Sequence, residues 1–380
     1  MDLLVSTCLV VILPMLGALL SGKMVSEYFS FPPRTQFVQH AGFSPYFFWF
    51  IAVTVLAIVL PFIRHVLKTL YLFGLPPRYL RKEKFPWWGW FALILLGIAW
   101  LLAWTRFSWY SHFQKFAFAT LWFPFVVVVN AVTFKRTRKC LMLQSPARFI
   151  MLFPVSAGFW WLFEYLNRFV HNWYYVGVEE MSGLEYCLFA TVCFSTVLPA
   201  VASINEYLSS RPALTAGLDN FVSASVVQSH ILAVVVFIVS VMALLALPVF
   251  PDYLFPALWL SPLALVISIQ ILRDKTHIFS GTVRGNWRII CQFALAGLIC
   301  GFFWELWNYG CLVKWKYSVP FVDRFHIFEM PVLGYAGYLP FGLECAIVID
   351  IVMGNLLSKS TSPESIFPIS NLESGISCNR

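Results

Sequence analysis

Charged side chains are scarce in this sequence: only 12% of its 380 residues are Asp, Glu, Lys or Arg. A soluble globular domain carries about 25%, so this composition excludes a soluble fold. Apolar runs of bilayer-spanning length, about 20 residues, recur along the chain. They are long and continuous, unlike the short alternating strands of a membrane barrel. The sequence therefore predicts an all-α, polytopic transmembrane helix bundle.

The motifs that identify common reactions are also missing. The nine cysteines form no C-x-x-C pair, and there is no H-x-x-x-H or H-E-x-x-H spacing, P-loop, dinucleotide fingerprint or nucleophile elbow. We therefore predict no metal site, and no motif indicates a cofactor. The net charge of +8 is attributed to cytoplasmic loops, and no nucleic-acid partner is expected.

About ten spans are predicted, at approximately 3–21, 45–63, 86–104, 113–134, 149–166, 184–203, within 222–249, 254–272, 289–308 and 332–355. The division of 222–272 into two spans depends on the turn signal in Leu247–Asp252, which contains two prolines. The segment Met1–Ser21 lacks a basic start and is interpreted as an uncleaved first span.

Lys and Arg are concentrated in the loops that follow the second, fourth and eighth spans. Because cytoplasmic loops carry an excess of these residues, both termini are predicted to lie in the cytoplasm, and the protein in the inner (cytoplasmic) membrane. Residues 358–380 are rich in Ser and Asn and are predicted to be a disordered cytoplasmic tail.

Two segments of the chain resemble each other. Phe163-Glu164-x-x-Asn167 matches Trp304-Glu305-x-x-Asn308, and an aromatic cluster follows each, at 173–175 and at 315–317. Upstream, the Leu-Trp-x-Pro of 121–124 resembles the Leu-Trp-x-x-Pro of 258–262. Self-similarity of this kind indicates an internal repeat.

The predicted repeat unit contains four spans, and an even number of spans gives both copies the same orientation, that is, a parallel repeat. The resulting organisation is a two-span N-terminal addition with a basic cytoplasmic loop (1–85), a first repeat (86–220), a second repeat (221–357) and the tail (358–380).

Residues three apart share a helix face, so each Glu and its Asn are expected side by side. A carboxyl in hydrocarbon is costly as an ion, and is therefore protonated, paired or facing a polar cavity. The alternative is structural, with each Glu bonded to Trp or Tyr donors of its own loop. The candidate catalytic residues are Glu164, Asn167, Glu305, Asn308 and Glu344; the candidate substrate-binding residues are Trp173, Tyr175, Trp304, Trp315, Tyr317, His326 and Glu329.

The chain contains the motifs Trp-Glu-x-x-Asn, Trp-x-Tyr and Glu-Met-Pro and the segment Gly334–Phe341. In these features it resembles an uncharacterised family of bacterial polytopic inner-membrane proteins with a duplicated hairpin. More loosely, the last 60 or so residues are similar to membrane lycopene cyclases and related carotenoid-modifying proteins. That resemblance implies an intramembrane enzyme with an acid at the end of a span. The Pro-Glu-Glu signature of those enzymes is absent, and the nearest string is Glu329-Met330-Pro331.

Three functions remain open at this point. The first is an intramembrane enzyme that acts on an isoprenoid or other lipid, with the acids as proton donors and aromatic faces stabilising a cation. The second is a proton-coupled transporter, although no Gly- or Pro-broken helix is evident at matching positions of the two halves. The third is a non-catalytic scaffold or complex partner. A blind apolar tunnel that opens to lipid and ends at Glu305 would favour the enzyme, a polar path accessible from both faces would favour transport, and the absence of a cavity near either glutamate would exclude both.

Overall fold

The computed structural model describes residues 1–30, 36–73 and 84–354, which are mostly helical, so the all-α class is confirmed. The predicted tail, and the basic residues Arg78, Arg81 and Lys82, lie outside the described residues. The helices are α1 (Asp2–Leu20), α2 (Pro45–Phe73), α3 (Trp87–Trp104), α4 (Ala117–Thr137), α5 (Leu141–Gln144), α6 (Pro146–Val170), α7 (Gly183–Phe194), α8 (Val197–Ser209), α9 (His230–Ala246), α10 (Pro251–Leu254), α11 (Ala257–Leu272), α12 (Arg288–Gly310) and α13 (Tyr338–Met353).

Four short strands also form, together with several 3-10 helices. The strands are β1 (Trp173–Val176), β2 (Lys314–Tyr317), β3 (His326–Ile327) and β4 (Met330–Pro331), and the 3-10 helices are Val25–Phe29, Ser108–Phe116, Pro212–Leu214, Ser225–Gln228, Ser280–Arg284 and Val332–Gly337. We name the end of the bundle that carries the strands the strand end.

Within the described residues, eight helical segments are long and apolar enough to cross a membrane. Two further apolar helices, α9 and α11, have 17 and 16 residues, about 25 Å at 1.5 Å per residue. They are therefore somewhat shorter than the roughly 30 Å hydrocarbon core. The segment 222–272, predicted as two spans, contains these two apolar helices, and neither is among the eight that are long enough to cross a membrane. The eight long segments are Asp2–Leu20, Pro45–His65, Trp87–Trp104, Ser108–Thr137, Pro146–Val170, Gly183–Ser209, Arg288–Gly310 and Val332–Met353.

Ionic and polar contacts fix α1 at both of its ends. At its start, the Asp2 carboxylate binds the Arg273 guanidinium at 2.5 Å and the Lys275 ammonium at 2.7 Å, just beyond the end of α11. At the strand end, the Lys23 ammonium donates to the Pro248 carbonyl over 2.5 Å. Because α1 also packs against α6, α9 and α11, it is an integral part of the bundle.

The two halves of the bundle interlock. In each half two helices lie side by side, α3 along α4 and α9 along α11. The last helix of each half then contacts the other half: α8 packs on α12, and α13 packs on α6. Glu305 lies on α12 and Glu164 on α6, so each acid is on a helix that takes part in these contacts.

The path of the chain between Gly183 and Ser209 is interrupted in mid-span. The break lies at Ser195 and Thr196, between α7 and α8. Ser156 of α6 bridges it, since its hydroxyl donates to the Phe194 carbonyl (2.6 Å) and accepts from the Leu198 amide (3.0 Å). In the other half, a 3-10 helix at Val332–Gly337 precedes α13. Sequence reasoning missed the first break because neither Ser195 nor Thr196 is a glycine or a proline.

The backbones of α12 and α13 approach each other closely through two glycines. A Cβ atom at Gly297 would lie 2.4 Å from the Tyr338 carbonyl oxygen, and one at Gly342 would lie 2.1 Å from the Phe293 carbonyl oxygen. Small residues of this kind allow membrane helices to pack through their backbones.

Replacing Gly297 by Ala is therefore expected to lower the thermal unfolding midpoint of the detergent-solubilised protein. The added methyl overpacks a backbone contact, which costs roughly 1–3 kcal/mol. The matched control is Gly158→Ala in α6, where a Cβ atom would meet nothing within 4 Å and Ala gains helix propensity. Equal midpoints for the two variants would contradict the packing described.

Candidate functional site

A two-stranded sheet closes the strand end of the bundle. β1 and β2 are antiparallel, with Trp173 opposite Tyr317 and Tyr175 opposite Trp315. Because alternate residues of a strand share a face, these four aromatic side chains lie together on one side. We name them the aromatic sheet face. All four had been predicted as substrate-binding residues, two in each half of the sequence.

The two asparagines fix the strands to the ends of their helices. The Asn308 amide donates to the Trp315 carbonyl (2.9 Å), and its oxygen accepts from the Trp315 amide (2.9 Å). Asn167 likewise donates to the Trp173 carbonyl (2.8 Å) and accepts from the Asn172 amide (2.8 Å). Since both asparagines are completely buried, each supplies hydrogen bonds that water cannot provide.

In the first half, the carboxyl of Glu164 is surrounded by aromatic donors. Its Oε1 atom accepts from the Tyr175 hydroxyl at 2.6 Å, from Trp173 Nε1 at 3.0 Å and from Trp160 Nε1 at 3.1 Å. Two of these donors come from β1, the strand that follows α6. The structural alternative predicted from the sequence, a glutamate bonded to Trp or Tyr donors of its own loop, is therefore observed.

A similar set of hydrogen bonds surrounds Glu305. Its Oε1 atom accepts from the Tyr317 hydroxyl at 2.7 Å and from the Tyr338 hydroxyl at 2.6 Å, and the Trp315 indole donates to the Tyr317 hydroxyl at 2.8 Å. Both acids are therefore bonded to the tyrosine at the same position of the aromatic sheet face.

The two halves differ in the source of one donor. Trp160 lies four residues before Glu164, and the corresponding position before Glu305 is Gly301. A Cβ atom at Gly301 would lie 2.2 Å from the ring of Tyr338, so only glycine leaves room for that ring. The phenol of Tyr338, from the next helix, thus replaces the indole of Trp160.

The tyrosines bonded to the acids are held in their neutral form. Burial, followed by the charge of the neighbouring Glu164, raises the pKa of Tyr175 well above its ordinary value, and burial and Glu305 do the same for Tyr317. Each phenol therefore keeps its proton and donates a hydrogen bond to the carboxyl group. Among the described residues, Oε2 of each glutamate has no hydrogen-bond partner.

A large cavity of about 1010 Å³ lies between the aromatic sheet face, α12 and α2. Its volume is at the upper end of the range for small-molecule sites, about 300–1,000 Å³. The described residues that line it are mostly apolar, and they include the whole aromatic sheet face together with Trp160, Trp304 and Tyr338. Glu164 and Glu305 are 0% exposed and lie behind this wall, so the tyrosine and tryptophan side chains separate them from the cavity.

The cavity opens alongside α2, which is only loosely packed. Only 6% of the residues in the most apolar stretch of this helix are buried. Lining residues on it, such as Phe50 and Ile58, remain 71% and 63% exposed. Two aromatic contacts attach the helix to the bundle: Phe47, near its start, stacks on Phe321 (4.5 Å between centroids), and Phe62, beyond its middle, lies against Trp287 (5.5 Å).

The other predicted site residues lie apart from this arrangement. Glu344 is buried in α13, and neither of its carboxyl oxygens has a partner among the described residues. His326 is exposed and contacts Asp323 at 2.7 Å. Glu329 pairs with Lys314, a lining residue of the cavity, at 2.5 Å.

Sequence reasoning missed Trp160, Tyr338 and Lys314. A signal for Tyr338 was present, because Leu198-Pro199 and Leu339-Pro340 each place their proline 35 residues after the glutamate of the same half. Aligning these prolines puts Tyr338 at the start of the helix that faces Glu305. No group of three or more His, Cys, Asp or Glu side chains in the described part of the chain could hold a metal ion.

Comparisons of the chain with models of known protein families, with curated proteins and with solved structures found no match.

Replacing Asn308 by Ala is expected to release β2 from the end of α12. The variant leaves the Trp315 amide and carbonyl without partners, which costs about 1–3 kcal/mol for each buried group. Hydrogen exchange of peptides that cover 314–317 should become faster. Asn205→Ala, in α8 far from the strands, is the control and should leave this exchange unchanged. Unchanged exchange in Asn308→Ala would show that the sheet does not depend on this contact.

Proposed function

We propose that this membrane protein is an intramembrane enzyme that acts on an isoprenoid or another long-chain lipid in the cavity beneath α2. The observation that carries the proposal is the wall of that cavity. At the strand end it consists of the tyrosine and tryptophan side chains that hydrogen-bond two buried carboxyls. An apolar space of this size accommodates a lipid chain, and its polar wall supplies groups that can act on one end of that chain.

In this proposal the aromatic rings and the acids have separate roles. Trp160, Trp304 and Tyr338 form a continuous cluster, with centroids 6.4 Å apart for the first pair and 5.7 Å for the second. Faces of such rings stabilise a developing positive charge. Glu164 and Glu305 lie one layer behind, so they act on the ligand through the phenols of Tyr175 and Tyr317.

We further propose that residues 86–220 and 221–357 are two copies of one four-span unit, that all ten predicted spans cross the membrane, and that both termini lie in the cytoplasm. The equal spacing from glutamate to proline supports the duplication, as do the matching hydrogen bonds of Asn167 and Asn308. The antiparallel pairing of β1 with β2 is also the pairing that a two-fold relation between copies would generate.

Transport is the second candidate, and one observation favours it. The breaks before α8 and before α13 occur at matching distances from the two glutamates, and discontinuous helices at a repeat interface are typical of secondary transporters. The mostly apolar lining of the cavity weighs against a polar path through the protein.

The first experiment compares the lipids that copurify with the wild type and with Glu305→Gln, using organic extraction and mass spectrometry. The amide keeps an acceptor for Tyr317 but removes the charge, so a specific lipid should accumulate unconverted in the variant. Tyr317→Phe, which removes the hydroxyl at the cavity wall, should have the same effect.

The matched control for this experiment is Glu180→Gln, because Glu180 is exposed in the loop after β1. It should copurify the same lipids as the wild type. If wild type and Glu305→Gln both carry only bulk phospholipid, the enzyme proposal is wrong, and uptake into vesicles becomes the test of the transport candidate.

A further inference from the structure

The cavity wall carries almost no charge. Among the described residues that line it, Lys314 is the only one with a formal charge, and its ammonium is paired with Glu329 at 2.5 Å. A phosphate or diphosphate group placed here would find no uncommitted cation among the lining residues that the structure describes. Burying an unpaired anion in an apolar site is strongly unfavourable.

The acids behind the wall supply no cation either. Glu164 and Glu305 are completely buried, and the side chains of Tyr175 and Tyr317 lie between their carboxyls and the cavity. A carboxyl group carries no positive charge in either protonation state, so neither acid can form an ion pair with an anionic end group.

The polar atoms at the wall select for a particular end group. The hydroxyls of Tyr175, Tyr317 and Tyr338 each donate a hydrogen bond to a glutamate. Their oxygens can then only accept from a ligand, and Tyr317, which already accepts from the Trp315 indole, has one lone pair left for it. A hydroxyl group is the simplest neutral partner that donates a hydrogen bond to such an oxygen.

The shape of the cavity suits a long chain. Its lining residues on α2 extend from Phe50 to Leu67, which corresponds to about 25 Å along a helix axis. A chain of that length would cross most of the roughly 30 Å hydrocarbon core. The opening beside α2 faces the region that lipid tails occupy, so such a molecule can reach the cavity from within the bilayer.

From these observations we propose that the cavity binds a neutral lipid alcohol, with its hydroxyl at the tyrosines of the aromatic sheet face and its chain along α2, and that it excludes phosphorylated lipids of the same length. This inference rests on the proposed function, because it names the ligand class of the same cavity.

The test measures equilibrium binding of radiolabelled geranylgeraniol and geranylgeranyl diphosphate to the full-length protein in nanodiscs. The two probes share one chain and differ in the charge of the end group. The alcohol is expected to bind at least about tenfold more tightly than the diphosphate. Tyr317→Phe should weaken binding of the alcohol about threefold to tenfold, the range for one neutral hydrogen bond.

A pair of variants tests the charge argument directly. Glu329→Gln frees the Lys314 ammonium at the wall, so it should raise the affinity for the diphosphate about tenfold or more and leave that for the alcohol unchanged. The double variant Lys314→Met with Glu329→Gln should return the diphosphate to its weak wild-type binding. Lys314 lies on β2 and Glu329 directly precedes β4. The melting midpoint of each variant shows whether the substitution has changed the stability of the fold.

The outcomes separate this inference from the proposed function. If the diphosphate binds the wild type as tightly as the alcohol, the neutral-alcohol inference is overturned, while a lipid-binding cavity stands. If neither probe binds saturably, both the inference and the lipid-binding role fail. Saturable binding of the alcohol alone, weakened by Tyr317→Phe, supports both.

Discussion

The hydrogen bond between a buried glutamate and the tyrosine of the following strand organises the strand end of this protein. Glu164 holds Tyr175, and Glu305 holds Tyr317. Within an apolar bundle, a carboxyl without partners would be costly, and a loop without partners for its backbone would be equally unfavourable. Each glutamate and the asparagine one turn later solve both problems together, because they bind the side chains and the backbone of the same strand.

This solution determines what the cavity can present to a ligand. The Oε1 atom of each acid accepts hydrogen bonds from side chains that lie between it and the cavity. The polar groups at the wall are therefore phenols and indoles and not carboxyls. Trp160 and Tyr338 are different residues on different elements, yet each donates a hydrogen bond to the Oε1 atom of a glutamate. An indole from the same helix in one half, and a phenol from the next helix in the other, reach their glutamates at 3.1 Å and 2.6 Å. In the second half, the phenol of Tyr338 thereby joins that of Tyr317 at the cavity wall.

The sequence was sufficient to predict the helical membrane fold, the two Glu-x-x-Asn pairs and the aromatic residues that accompany them. These depend on local patterns: apolar length, a three-residue spacing and an adjacent cluster. It was not sufficient for Trp160, Tyr338 or the course of α2. Tyr338 reaches Glu305 only because α13 packs on α12 through Gly297 and Gly342, which is a tertiary contact. The break at Ser195 was equally hidden, since it depends on a hydroxyl from Ser156 on another helix.

The interlock of the two halves also has a consequence for biogenesis. The first half is translated and inserted well before α13 emerges, yet α6 receives part of its packing from α13, and α12 receives Tyr338 from it. Until that helix is inserted, Glu305 lacks its Tyr338 donor, whereas the three donors of Glu164 are already present. The final helix of the described chain therefore completes the hydrogen bonds of Glu305 last.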